Sequence, residues 1–190
     1  MGKVMKKATV YELAAAAVFA ALLSVLAPLT IPIGPIPVTL ATLILYLSIY
    51  VLPTRSALSS CAVYLLLGAF GLPVFTGYAG GIAKIAGPTG GYLLGYLFLV
   101  LIGGLFMRRA PRFEKKPVNI LFPVLGLLLG TAALYLFGTA WFMIQAKATL
   151  SYALSVCVVP FIPVDLGKIV LATILGRLLR RTLRKAGLFR

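Results

Sequence analysis

From residue 118 to residue 142 the chain reads "VNILFPVLGLLLGTAALYLFGTAWF", without one charged side chain. As a helix rising about 1.5 Å per residue, this run is longer than the ~30 Å hydrocarbon core of a bilayer. In water it would have no polar face to turn outward. The run is one of several, since 62% of the 190 residues are hydrophobic and only 11% are charged. The mean hydropathy of +1.09 lies outside the range of a soluble domain of this length. The chain therefore reads as an integral membrane protein. Its first apolar run is too long, and the sequence behind it too apolar, for a cleaved signal peptide ahead of a soluble body.

Six apolar segments are expected to be transmembrane helices, at about 10–27, 38–52, 56–70, 90–107, 118–142 and 163–179. Together they make a single membrane domain over 1–190, ending in a basic tail at 180–190. Pro160 and Pro163 are expected to set the start of the last helix. The net charge of +15 could suggest nucleic acid, but the cations fall in short clusters between or beyond the apolar runs, as topology signals do. Lys3, Lys6, Lys7, Arg55, the five cations of "RRAPRFEKK" and the six of the C-terminal tail all fall on one face, 15 of 18 in total. The positive-inside rule makes that face cytoplasmic, so both termini are expected in the cytoplasm of a cell-membrane protein. A seventh span through 148–159 would carry the cationic tail outside, so this piece is expected to be interfacial or re-entrant.

The expected outer loops are too apolar for ordinary hydrated connections. The first, "PLTIPIGPIPVTL" at 28–40, carries four prolines and no charge, and the second, "GLPVFTGYAGGIAKIAGPTGGY" at 71–92, holds seven glycines. Irregular backbone at membrane depth needs cover by protein or a cavity to line, so these loops point to a lid or pocket wall, with tight connection as the plainer alternative.

Few residues could carry chemistry. There is no histidine, no Walker A motif and no nucleophile elbow, so the chain does not read as an enzyme and any ATP hydrolysis must come from elsewhere. Cys61 and Cys157 are isolated in apolar segments, so neither a metal site nor a disulfide is indicated. Asp165, one of three acidic residues, stands three positions before Lys168 in "PFIPVDLGK". At that spacing the two share a helix face, and inside a membrane that face should turn toward a bundle or cavity. Three readings stay open. Asp165 could serve the helix start, the two could form a structural ion pair, or both could face a small polar ligand. Phe75, Tyr78 and Tyr92 flank the glycine-rich loop, while Trp141, Phe142 and Tyr152 lie near the outer end of the fifth helix. Trp141 fits an interfacial belt, whereas Tyr92 beside "GPTGG" is also a pocket candidate. Two small-xxx-small pairs in the first helix, Ala16 with Ala20 and Ala17 with Ala21, suit close helix approach, within the chain or to a partner.

The blocks "GAFGLPVFTGYAGGIAKIAGPTGGYLLGY" (68–96), "IPIGPIPVTL" (31–40) and "PFIPVDLGK" (160–168) resemble BioY, the biotin-specific S components of energy-coupling factor transporters. The resemblance covers essentially the whole chain. It implies a six-helix subunit that captures biotin from outside and works with a membrane coupling subunit and two ATPase subunits, with biotin as cargo and no cofactor. It also implies that Asp165 accepts from a ureido N–H, that Lys168 donates to a biotin oxygen, and that Thr89 and the backbone of Gly90 and Gly91 line the site. Tyr92 and Phe75 are expected on the ring system, and Ala16/Ala20 or Ala17/Ala21 at the coupling subunit. The pattern departs at Ala41, where relatives commonly carry Gln. Alternatives are an S component for riboflavin or thiamine, although a cationic ligand would sit badly beside Lys168, and a structural membrane assembly protein, which would leave the Asp/Lys pair without a purpose.

Overall fold

The computed structural model describes residues 2–31, 36–109 and 118–187. Eight helices are found among them: α1 (Gly2–Leu26), α2 (Ala41–Val51), α3 (Thr54–Ala69), α4 (Ile82–Ala86), α5 (Gly90–Arg109), α6 (Val118–Ala146), α7 (Leu150–Cys157) and α8 (Phe161–Lys185). Two short strands, β1 (Thr30–Ile31) and β2 (Val38–Thr39), pair antiparallel between α1 and α2. The long helices α1, α2, α3, α5, α6 and α8 fall on the six expected apolar segments. By length and composition two helices qualify as membrane spans, and three if α7 and α8, bent by 41° at their junction, count as one.

Several boundaries differ from the expected ones for identifiable reasons. The second segment does not start at Val38, because Val38 and Thr39 pair with Ile31 and Thr30, and Thr39 Oγ1 then accepts from the Ala41 N–H at the start of α2. The last helix begins at Phe161, with Pro160 at its N-cap and Pro163 inside the first turn, where a missing N–H removes no helical hydrogen bond. α1 and α6 run past the apolar limits at one end, and α8 at both. Hydropathy marks where lipid begins, whereas a helix continues into water as long as its residues allow. The tail expected from 180 is therefore helical to Lys185, and residues 188–190 lie outside the described residues, as do Arg112, Lys115 and Lys116 of the basic loop and residues 32–35 of the proline-rich one.

α2 is the centre of the bundle. It packs against α8, α5, α1 and α3, and nine of its eleven residues are buried. α5 and α6 form the most extensive helix pair, through small residues that let their backbones approach. A Cβ added at Gly130 would lie 2.8 Å from the Leu99 carbonyl oxygen, so only glycine fits there. The main core, which includes Leu23, Leu45, Tyr46, Tyr64, Leu99 and Leu127, runs through these helices. A second cluster of Ile36, Val38, Phe142, Ala153, Cys157 and Phe161 joins the β-hairpin to α6, α7 and the start of α8. Cys61 and Cys157 are free thiols buried one in each cluster. Large apolar side chains such as Leu13, Val18, Leu136, Ile144 and Ile174 are uncovered by protein and form the surface suited to lipid.

Candidate ligand-binding site

The second cluster holds the β-hairpin over one end of the bundle, the glycine-rich loop is anchored there in the main core through Phe75, and a pocket lies beneath the two. Its walls come from both apolar loops (Ile36, Pro37 and Thr39 of the first, Thr76 and Thr89 of the second) and from Tyr92, Tyr96, Leu134, Tyr135 and Phe161. Thr42, Asp165 and Lys168 supply its polar floor. The α2, α5 and α8 residues sit near helix starts, so the pocket is at the end of the bundle opposite Arg108, Arg109 and the α8 arginines. The Pro/Gly-rich loops are pocket walls, not merely tight connections. The second loop reaches its path through left-handed backbone at Gly77 (φ 70) and Tyr78 (φ 59), and the Gly77 N–H donates to the Pro28 carbonyl, tying the two loops together.

The floor is a closed hydrogen-bonded network. Lys168 Nζ donates to the Thr39 carbonyl (2.8 Å), to Thr42 Oγ1 (2.8 Å) and to Asp165 Oδ1 (2.9 Å), which engages all three ammonium protons. Asp165 Oδ1 also accepts from Thr42 Oγ1 at 3.0 Å, and Oδ2 accepts from the Tyr135 hydroxyl at 2.6 Å. The carboxylate thus makes three hydrogen bonds and keeps one acceptor position on Oδ2. Asp165 is 3% exposed, a burial tolerable only because its charge and lone pairs are so fully met. The helix-start reading of Asp165 gives way to this longer-range role. The enclosed space left between these side chains is about 50 Å³, enough for a water or two.

Along residues 3–185 the sequence matches the model of the BioY family. The chain belongs to the BioY family. The match to the biotin transporter BioY2 of Lactococcus lactis subsp. cremoris is 38% identical over 181 residues, covering 94% of this chain and 95% of that one. Biotin transporter BioY of Thermotoga maritima is 36% identical over 171 residues, covering 90% and 96%. Among solved structures, the fold resembles the 2.1 Å crystal structure of the S component for biotin from an ECF-type ABC transporter, with a TM-score of 0.83, 30% identity and coverage of 91% and 92%.

Within this BioY fold the sequence-predicted residues separate into two groups. Asp165, Lys168, Tyr92 and Thr89 come together at the pocket. Tyr92 lies across Gly138, where an added Cβ would meet its ring at 2.5 Å, and its hydroxyl stands 3.0 Å from Thr139 Oγ1 and 3.3 Å from the Cys157 carbonyl. Phe75, Gly90 and Gly91 are not among the pocket-lining residues. The Phe75 ring is fully buried beneath the glycine-rich loop, edge-on to Tyr64 at 5.6 Å and directly over Gly68. Gly90 and Gly91 serve close packing. An added Cβ at Gly90 would overlap the Ile85 carbonyl, and one at Gly91 would overlap the Trp141 Cβ. Trp141 itself donates Nε1–H to the Gly87 carbonyl at 3.0 Å, and with Gln145, which donates to the Ala86 carbonyl at 2.8 Å, it clamps the loop to α6.

On α1, Ala16 and Ala20 face inward, 7% and 4% exposed, while Ala17 and Ala21 are exposed. The first pair is used within the chain, where α1 packs on α3 and α2. The second is the small-residue face left open.

Sequence reasoning missed Thr42 and Tyr135, the two hydroxyls that complete the floor. Neither has a local signature. Thr42 lies 123 positions from Asp165 and Tyr135 lies 30, in segments that read simply as apolar helix.

Proposed function

We propose that this chain captures biotin as the S component of an energy-coupling factor transporter, crossing the cell membrane six times with both termini in the cytoplasm. In that arrangement it is a binding subunit rather than an enzyme, and a membrane coupling subunit and two ATPases supply the work. Support comes from the BioY membership, from the names of its relatives, and above all from one observation. The only salt bridge among the described residues, Asp165–Lys168, forms the floor of a pocket walled by aromatic and aliphatic side chains. Biotin presents matching chemistry: two ureido N–H donors and a carbonyl, an apolar thiophane ring and a carboxylate tail. Asp165 Oδ2 has room for one ureido N–H, while Lys168 meets a biotin oxygen only by releasing one of its three acceptors. The Thr39 carbonyl, on the hairpin, is the partner whose release would also let the pocket widen. Tyr92, Tyr96 and Phe161 offer faces to the rings, and Thr89 an additional hydroxyl. The open Ala17/Ala21 face on α1 suits the coupling subunit.

The test is equilibrium binding of labelled biotin to the detergent-purified chain, competed by desthiobiotin and by thiamine. Saturable 1:1 binding displaced by desthiobiotin and untouched by thiamine is expected. Absence of binding, or displacement by thiamine, refutes the assignment. The role of Tyr135 has its own measurement. Tyr135→Phe removes the donor at 2.6 Å from Asp165 without changing shape, and a hydrogen bond to a charged group contributes about 1.5–3 kcal/mol. Biotin affinity is expected to fall on the order of tenfold. Unchanged affinity in calorimetry would place Tyr135 outside the binding machinery.

A further inference from the structure

Below their meeting at Tyr135 and Asp165, α6 and α8 are parted by a groove of about 590 Å³, more than ten times the space left in the biotin pocket. It opens sideways into the surface suited to lipid. Its sides are apolar (Ile120 and Val124 from α6, Val170, Ile174 and Leu178 from α8) and its cytoplasmic end carries Arg177 and Arg181. These arginines stand four residues apart on one face of α8. From Ile169 to Arg181 the groove follows twelve residues of helix, about 18 Å. One leaflet of a bilayer is about 15 Å of hydrocarbon. Ahead of Arg177 the α8 side of the groove runs for about 12 Å, most of one leaflet, and is apolar except for Thr173, so a groove that turns cationic near the leaflet's edge is matched in length and polarity to one kind of molecule. Among the described residues neither arginine forms a salt bridge, since the single ion pair is Asp165–Lys168. Guanidinium groups are suited to phosphate, which they can hold through two parallel hydrogen bonds.

We propose that this groove is a binding site for one anionic phospholipid of the cytoplasmic leaflet, with an acyl chain lying along Val124, Val170 and Ile174 and the headgroup phosphate held by Arg177 and Arg181. The site is independent of the biotin pocket, and its test does not use biotin. The purified chain is delipidated in detergent and titrated with equal amounts of phosphatidylglycerol and phosphatidylcholine of identical chains, and bound lipid is counted by native mass spectrometry. One phosphatidylglycerol per chain is expected to be retained in preference. Arg177→Gln with Arg181→Gln is expected to reduce that preference about tenfold or more. Ile174→Trp, which fills the groove, is expected to lower retention of both lipids. Thermal midpoints in lipid-free detergent establish that each variant is folded, and Val170→Trp serves as a second groove-filling variant should Ile174→Trp fail that check. Equal retention of the two lipids, or a preference that survives the double arginine substitution, overturns the proposal. So does a groove-filling variant that keeps its lipid but loses association with the ATPase-bearing module or with a second copy, because the groove then docks protein.

Discussion

Asp165→Asn is expected to weaken biotin binding by about two orders of magnitude. The substitution keeps the shape of the side chain and removes its charge, leaving the Lys168 ammonium with the Thr39 carbonyl and Thr42 Oγ1 but no counter-ion at 2.9 Å. Removing one partner of a buried pair costs about 3–5 kcal/mol, and about 3 kcal/mol corresponds to roughly a hundredfold in a dissociation constant. Part of that cost falls on the unliganded fold. The variant should therefore unfold at a lower temperature as well as bind less, and the two losses must be separated. Lys168→Met supplies the separation, since in the double variant Asp165→Asn/Lys168→Met no charge is left buried. The double variant should regain much of the thermal stability lost by either single change, because the cost of an unpaired charge is gone. It should not regain biotin binding, because a carboxylate facing the ureido N–H groups is still missing. Equilibrium binding and thermal unfolding on the four proteins read both quantities. A double variant that binds biotin like the parent would reduce the pair to a structural ion pair and remove it from the site.

The legibility of this site in the sequence follows from what each residue costs its surroundings. Asp165 and Lys168 could be found because an ionisable group in an apolar helix is expensive wherever it lies, so its presence alone calls for an explanation. Thr42 and Tyr135 cost little on an apolar helix face, and their contribution appears only when α2, α6 and α8 come together. The apolar loops were legible for the same reason as the pair. A backbone without regular hydrogen bonds cannot face lipid, and Ile36, Pro37, Thr39, Thr76 and Thr89 do line the pocket. What the loop composition did not carry is which side of the loop faces the ligand. Tyr92 and Phe75 flank the same glycine-rich stretch, yet one ring enters the pocket and the other the core. The α1 alanines show a similar limit. The two small-residue pairs differ by one position, which is about 100° of helix rotation, and only packing against α3 and α2 determines that Ala17 and Ala21 stay open. Hydropathy located all six long helices but not their ends, since lipid thickness and helix length are different quantities.

Phe75→Ala tests the reassignment of this ring from ligand contact to core. Phe75 is fully buried, packs edge-on against Tyr64, and occupies the space over Gly68 that any larger residue would close. Deleting the ring leaves a cavity between α3 and the loop, beside the buried Tyr64 and over Gly68, which has no side chain to fill it. Truncations of this kind cost about 3–5 kcal/mol. The loss should appear in the biotin-free protein as a lower thermal midpoint. It should also appear as faster proteolysis of the 71–81 loop, whose backbone is tied to α3 by the Gly81 N–H to Gly68 carbonyl bond at 2.7 Å. Phe75→Leu, which refills much of the volume, should recover most of the stability. A ring that stacks on biotin predicts the reverse pattern: an unliganded protein as stable as the parent, a large fall in affinity, and little rescue by leucine. If titration of Phe75→Leu with labelled biotin finds parental affinity while Phe75→Ala is destabilised before any ligand is added, the ring holds up the loop that forms the pocket wall. Its influence on binding then passes through Thr76, the next residue along that loop, which does line the pocket.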